Sequence, residues 1–158
     1  MPRRSYKKRT IAKDPIYDSF VIAKLINLIM EGGKKTIASA IVYGVLDEIK
    51  KEKKVEPIIL IDTAVENVAP IHIVRPRRVG GASYMVPREV TPHHRVFLAL
   101  RWLVDAARAR NNKEYSTFHK KLKAELLDAY EKKGNAFDKK TQSEKLAEAN
   151  KVFAHFNW

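Results

Sequence analysis

Arginine side chains are concentrated in one segment of this sequence. Eight arginines lie between Arg75 and Arg110, whereas lysine is absent from position 55 to position 112 although the chain has 20 lysines elsewhere. A guanidinium group offers a planar fork that can bind a phosphate through two hydrogen bonds or stack on a base, while an ammonium group is a compact point charge. The pattern therefore predicts that this segment makes specific contacts with a polyanion and that the lysine-rich ends act as general electrostatic clamps. The alternative is compositional drift, but the segment holds only two acids, Glu89 and Asp105.

The residue types that carry catalysis or metal binding do not form a pattern. The chain has no cysteine, which excludes disulfides, thiol catalysis and Cys-ligated metals. The five histidines lack metal-ligand spacing, and adjacent His93 and His94 would face different ways on a helix. The glycines of Gly80-Gly81 and Gly33-Lys34-Lys35 lack the spacing of nucleotide-binding loops. We therefore expect no enzyme activity, no metal and no other cofactor.

The net charge points to the class of partner. Lys and Arg total 31 against 18 Asp and Glu, giving +13. A field of that sign favours nucleic acid, an anionic membrane or acidic proteins. No apolar run approaches the roughly 18 residues of a membrane span, so a membrane partner is not expected.

Two further basic sites flank the first part of the chain. Residues 1–14 form a basic N-terminal extension, which is predicted to be an arm that orders on a polyanion, or else a frayed, solvated terminus. The stretch Gly32-Gly33-Lys34-Lys35 has two interpretations. It could place lysines and free N–H groups at a helix N-terminus, where phosphate is attracted, or it could be a C-cap followed by solvated lysines.

Apolar periodicity predicts six helices in residues 15–158. The segments are a first between Pro15 and Gly32, a second at about 36–54, a third from Pro57 to Pro70, a fourth from Thr91-Pro92, a fifth at about 115–132, and a sixth from Thr141. Thr141 and Glu144 have capping-box spacing, with Leu146, Ala149, Val152 and Phe153 expected to face inward. In the second helix, Ile37 and Ala40 are among the expected core residues. The run Ile58–Ile61 could instead be a buried strand.

The arginine segment begins with a predicted β-hairpin at about 72–90. A two-residue turn at Gly80-Gly81 pairs residues whose numbers sum to 161. Pro76 and Pro87 then fall in non-hydrogen-bonded pairs, where their missing N–H groups leave the ladder intact. This register puts Arg77 and Arg78 on opposite faces, so we expect a ribbon flanked by phosphates on two sides. The fold class is mainly α, a single-domain bundle of about six helices with a protruding two-stranded hairpin between the third and fourth.

Several motifs resemble a known family. They are MPRR, EGGKKTIASAIVYGVLDEI, AVENVAP, RRVGGASYMVPREV, ALRWLVDAARAR and EANKVFAHFNW. Together they are similar to the universal family of small-subunit ribosomal protein seven, in its bacterial-type form. The resemblance implies a helical bundle with a hairpin arm. It also implies direct binding to small-subunit rRNA, nucleation of the 3′ major (head) domain, and a position near the exit-site tRNA and the mRNA path. Its implied neighbours are small-subunit proteins nine and eleven in a cytoplasmic bacterial ribosome, with an organellar matrix less expected.

The resemblance also assigns residues by position. The expected rRNA contacts are Arg3, Arg4, Lys7, Lys8, Arg9, Lys34, Lys35, Arg75, Arg77, Arg78, Arg95, Arg101, Lys139 and Lys140. The residues expected nearest tRNA and mRNA are Val79, Gly80, Gly81, Ala82 and Tyr84. The chain departs from the family pattern at Pro76, Met85, Arg88, Phe156 and Asn157.

Two other classes fit less well. A basic helical body with a proline-containing β-arm is compatible with an architectural DNA-binding protein. Such proteins are usually obligate dimers, whereas this chain is 45% hydrophobic and has enough apolar residues for its own core, so no homo-oligomer is expected. An RNA-processing enzyme would need an active-site constellation that the sequence does not display.

Overall fold

The computed structural model describes residues 11–53 and 55–157. The helices are α1 (Phe20–Ile29), α2 (Lys35–Lys53), α3 (Pro57–Val68), α4 (Pro92–Ala109), α5 (Phe118–Tyr130) and α6 (Asn135–Ala149), followed by a C-terminal 3₁₀ turn, Lys151–Phe156. The strands are β1 (His72–Val79) and β2 (Ala82–Glu89), between α3 and α4. The predicted fold class, helices with a hairpin after the third, is confirmed. The predicted N-terminal arm lies mostly outside the described residues.

A single apolar core holds the helices together. Each helix packs apolar side chains against it. The largest fully buried apolar side chains are Ile22, Leu25, Ile26, Leu46, Ile49, Leu60, Ile61, Leu100, Leu103, Leu122 and Leu126. Burying one Leu or Ile side chain stabilises the fold by about 1.5–3 kcal/mol. This shared core therefore stabilises the helices that position the arginine segment.

The predicted third helix is confirmed and its strand alternative is wrong: the run Ile58–Ile61 is helical, with Ile59 55% exposed while Leu60 and Ile61 are buried. Three other predictions about the helices are corrected by tertiary contacts. The fifth helix begins at Phe118, after a Thr117 cap, and not near Tyr115. In α2, Ile37 is 55% exposed and Ala40 is also exposed, because the buried stripe runs instead through Ala38, Val42 and Val45.

The largest correction concerns α6, which begins at Asn135, six residues before the predicted capping box. Gly134, at φ 89°, ends the preceding loop, and the buried Ala136 donates its N–H to Glu125 Oε1 at 2.9 Å. That contact with α5 starts the helix early. Thr141 is therefore internal, and its hydroxyl donates to the Phe137 carbonyl. The inward stripe shifts accordingly.

The shifted stripe exposes three of the four residues that the sequence predicted to face inward, while Phe153 is half-buried against Tyr84. Leu146 is 53% exposed, Val152 is 77% exposed, and Ala149 also faces solvent. The buried alanines are Ala136 and Ala147.

The hairpin has the predicted register. Every cross-strand pair from Val79–Ala82 to His72–Glu89 sums to 161. Gly80 and Gly81 take φ values of 58° and 90°, the two positive angles that a type I′ turn requires and that glycine adopts without steric cost. The two-residue turn therefore fixes the cross-strand partners of Pro76 and Pro87, as the sequence predicts.

One face of the hairpin lies on the helical body. The Tyr84 ring is 5.2 Å from the Phe153 ring and 5.3 Å from the Phe156 ring, and Val86 is 1% exposed. Arg77 Nη1 donates to the Phe156 carbonyl at 2.9 Å. The expectation of a ribbon with two open faces is thus wrong for the face of Arg77 and Tyr84, which packs on the C-terminal turn. The opposite face, with Arg78, Ser83 and Met85, is exposed.

Candidate nucleic-acid interface

A basic groove runs between the base of the hairpin and the start of α4. It has a volume of about 640 Å³, and the basic side chains that line it come from three elements. They are Arg75 of β1, Arg88 of β2, and His93 and His94 of α4. Glu89 is the acid in the lining. Strand pairing and the following helix thus collect side chains that are 19 positions apart in the sequence.

Backbone hydrogen bonds fix the hairpin to α4 at this groove. Val90 donates its N–H to the Ile71 carbonyl at 3.0 Å, which closes the hairpin base directly before the helix. Pro92 occupies the first turn of α4, and the N–H groups of His94 and Arg95 both donate to the Thr91 carbonyl. The Thr91 side chain makes no capping bond. The groove therefore lies at the positive end of the helix dipole, which favours anions.

Arg95 has a structural bond beside its predicted role. Its Nε donates to the Pro70 carbonyl at 3.1 Å, so its guanidinium ties α4 to the end of α3. Arg75 and Arg78 are exposed, whereas Arg77 is half-buried on the C-terminal turn. Of the predicted hairpin arginines, Arg75 and Arg78 are therefore the ones with open side chains.

The hairpin tip presents little side-chain bulk. Gly80, Gly81 and Ala82 are exposed and Val79 is half-buried. Tyr84, predicted to lie near tRNA and mRNA, is half-buried against Phe153 and Phe156. The Tyr84 ring therefore packs the hairpin against the C-terminal turn.

Lys34 and Lys35 are exposed at the start of α2. The C-cap of α1 is Met30, so Gly32 and Gly33, at φ 58° and 76°, form a turn between the helices and not the C-cap. Lys34 lies in a second groove with Arg108, which pairs with Glu31 at 2.7 Å. That groove is separate from the one at the hairpin base.

The remaining predicted contacts lie on α4 and α6. Arg101 is exposed and pairs with Asp105 at 3.8 Å. Lys139 Nζ lies 5.9 Å from the Trp102 ring, and half-buried Lys140 donates to the Asn67 carbonyl at 2.9 Å. Arg3, Arg4, Lys7, Lys8 and Arg9 fall outside the described residues.

Residues that the sequence did not single out as contacts complete the groove. Arg88, His93 and His94 were visible as part of the lysine-free segment, but only the register and the hairpin–α4 junction bring them beside Arg75. Arg88 could have been found by following the pairing sum, which places it opposite Ile73 at the hairpin base.

The described residues form neither a metal site nor a membrane-spanning helix. Across residues 11–53 and 55–157, no three or more His, Asp and Glu side chains are placed to hold a metal ion. In the same ranges, no helix has the length and apolar character to cross a membrane.

Comparison with known proteins identifies the class. The family model for ribosomal protein S7p/S5e matches residues 1–151, which places the chain among ribosomal proteins. The small ribosomal subunit protein uS7 of Thermodesulfovibrio yellowstonii is 48% identical over 159 residues, and those of Caldicellulosiruptor bescii and Thermotoga maritima are also 48% identical. Each alignment covers 100% of both chains. The chain therefore belongs to the ribosomal protein S7p/S5e family, and the family resemblance read from the motifs is confirmed. The protein is a component of the small ribosomal subunit, from a family of structural proteins and not of enzymes.

Proposed function

We propose that this ribosomal protein binds the rRNA of the small-subunit head directly and nucleates folding of that 3′ major domain. The hairpin tip then lies near the exit-site tRNA and the mRNA path, with small-subunit proteins nine and eleven as neighbours in a bacterial cytoplasmic ribosome. The observation that carries the proposal is the groove in which Arg75, Arg88, His93 and His94 meet.

The mechanism is charge neutralisation combined with recognition of RNA shape. Each phosphate neutralised by a cation releases a counterion, which favours binding entropically. Guanidinium groups can hold a phosphate through two hydrogen bonds, so Arg75 and Arg88 fix the orientation of the backbone in the groove. Folded RNA presents its phosphates at spacings set by helices and loops, so a rigid groove selects shape more than sequence.

A pair of double variants tests this proposal. Arg75→Ala with Arg88→Ala removes two groove cations, whereas Lys132→Ala with Lys133→Ala removes two exposed cations of the α5–α6 loop. Binding to a transcript of the head domain is measured by filter retention. We expect the arginine pair to weaken binding at least tenfold, since loss of a charge-assisted contact costs about 1.5–3 kcal/mol, and the lysine pair to change it less than about threefold.

Equal losses for the two pairs would show that the groove has no special role. Duplex DNA of the same length serves as competitor. Displacement of the RNA by that DNA at equal concentration would favour the DNA-binding alternative.

A further inference from the structure

Lys24 is a buried lysine in the middle of α1. Lys24 is only 6% exposed, and its ammonium group has no hydrogen-bond partner among the residues that the structure describes. Among those residues, no other buried side-chain nitrogen or oxygen lacks a hydrogen bond. Burial lowers the pKa of Lys24 below its usual value, since the charged form is the one that loses hydration.

Two aromatic rings flank the ammonium. Nζ lies 5.3 Å from the centroid of the Phe20 ring and 5.6 Å from that of the Phe97 ring. A cation–π contact offsets part of the desolvation cost, by about 0.5–2 kcal/mol. The rings accept no full hydrogen bond, however, so the three N–H donors of the ammonium still lack an oxygen partner. An unpaired buried charge of this kind destabilises the free protein.

The rings form part of a continuous patch. His93 lies 6.0 Å from Phe20, and His94 stacks on Phe97 at 5.9 Å with an interplanar angle of 18°. The same two histidines line the basic groove at the hairpin base. Phe20 and Phe97 are half-buried, so each keeps an outer surface in solvent. The patch therefore places flat rings for stacking beside a donor that needs an anionic acceptor.

We propose that Lys24, Phe20, Phe97, His93 and His94 form a site for one unpaired RNA nucleotide, whose phosphate accepts hydrogen bonds from Lys24 and whose base stacks on a ring of the patch. The proposal rests on the proposed function and deepens it. A phenylalanine side chain turns about two torsions, so one ring turns aside to let the phosphate reach the ammonium. The Lys24 ammonium thus gains its hydrogen bonds only when RNA is bound. The same lysine therefore destabilises the free protein and stabilises the complex.

Matched variants separate the charge from the stacking. Lys24→Met keeps the shape of the stem and removes the charge, while Lys120→Met makes the same change at an exposed position of α5. With a head-domain transcript, we expect Lys24→Met to weaken binding about tenfold and to reduce the log–log salt slope by roughly 0.7–1, the value for one phosphate contact. Phe97→Leu is expected to weaken binding by about tenfold with the slope unchanged, because it removes stacking and no charge. Lys120→Met is expected to change affinity less than about twofold.

In the free protein, the Lys24→Met substitution should not reduce stability, although it reduces RNA binding. Lys24→Met should unfold at the same temperature as the natural chain or higher, since an apolar side chain replaces a buried unpaired charge. Binding of Lys24→Met that equals that of Lys120→Met overturns the site while leaving the proposed function intact. A natural chain that fails to bind the transcript overturns both. As a measurement independent of any variant, NMR of the Lys24 side chain should show its pKa raised on adding RNA, and an unchanged pKa would refute the contact.

Discussion

Asp14 is a buried carboxylate that joins the start of the described chain to α2. It is 4% exposed, and its Oδ2 accepts from the N–H groups of Ile16 and Tyr17. Its Oδ1 accepts from the Tyr43 hydroxyl at 2.6 Å. The hydrogen bond to Asp14, with burial and the charge of Asp14, raises the pKa of Tyr43 to about 12. This bond ties Asp14 to α2.

Tyr43→Phe should therefore destabilise the protein in a pH-dependent way. At pH 7 we expect a loss of about 1.5–3 kcal/mol, the contribution of a hydrogen bond to a charged group. A raised pKa contributes stability that is complete below the ordinary value near 10 and is lost as the pH rises through about 12. The difference between the variant and the natural chain should thus shrink between those values, as measured by urea unfolding at pH 7 and pH 11. Tyr130→Phe, at an exposed side chain, is the control. A difference that stays constant with pH would contradict the assignment.

Among the described residues, Glu125 is a second buried carboxylate with a structural role. It is fully buried and accepts from Arg110 Nε at 2.7 Å and from the Ala136 N–H at 2.9 Å. Arg110 also bonds to Asp128, and its guanidinium lies 5.3 Å from the Tyr115 ring. The cluster holds the end of α4, the middle of α5 and the start of α6 together.

Glu125→Gln should lower the free energy of unfolding by about 3 kcal/mol. Removing one charge leaves the half-buried Arg110 only partly compensated, and breaking a buried pair costs more than an exposed one. Glu131→Gln, which loses exposed pairs with Lys53 and Lys133, should cost less than about 1 kcal/mol. Denaturant unfolding of both variants measures the comparison, and equal losses would mean that the cluster does not join the helices.

At the scale of the elements, the sequence predicts what local rules determine. The hairpin register follows from two glycines and two prolines, because turn geometry and the missing N–H groups act within a few residues. The start of α6 does not follow, because it depends on Glu125, eleven positions from Ala136 in the chain. In the same way, the sequence predicts Arg75 as a contact, but its position beside His93 requires the hairpin–α4 junction.

The C-terminal turn supports the hairpin, so Phe156→Ala should loosen it. The change removes the ring that lies 5.3 Å from Tyr84 and leaves the backbone carbonyl that Arg77 uses. We expect amide hydrogen exchange in β1 and β2 to become about tenfold faster, a cost of about 1.4 kcal/mol in local opening, while the helical core is unchanged. Val152→Ala, at a side chain 77% exposed, should have no effect. Unchanged hairpin exchange in Phe156→Ala would show that the ribbon is held by other contacts.

At the scale of the whole molecule, the arginines and a group of exposed acids lie on different elements. Exposed acids are frequent on α2 and α3, at Asp47, Glu48, Glu52, Asp62 and Glu66. Lys123 lies beside the acids of α2, where it pairs with Glu48 at 2.9 Å and also with Glu52. The hairpin and α4 carry the arginines instead. The net charge of +13 attracts the protein to a polyanion over long range.

This net charge predicts a steep salt dependence of RNA binding. If about six phosphates are neutralised, the affinity should fall with salt with a log–log slope of roughly −4 to −5. Titration of the head-domain transcript between 0.05 and 0.3 M salt, about the range in which such slopes are measured, tests this. A flat response would mean that binding is not electrostatic, whichever side chains make it.

The two prolines of the hairpin have a consequence for the free protein before it joins a ribosome. A two-stranded ribbon has two open edges, and unpaired N–H groups along an edge are a template for adding a strand from another chain. In the observed register, Pro76 removes one such donor from the outer edge of β1 and Pro87 removes one from that of β2. Each edge is thus interrupted near its middle, where a third strand would otherwise align. The proline positions that leave the hydrogen bonds of the hairpin intact therefore also discourage edge-to-edge aggregation of the free protein before it binds RNA.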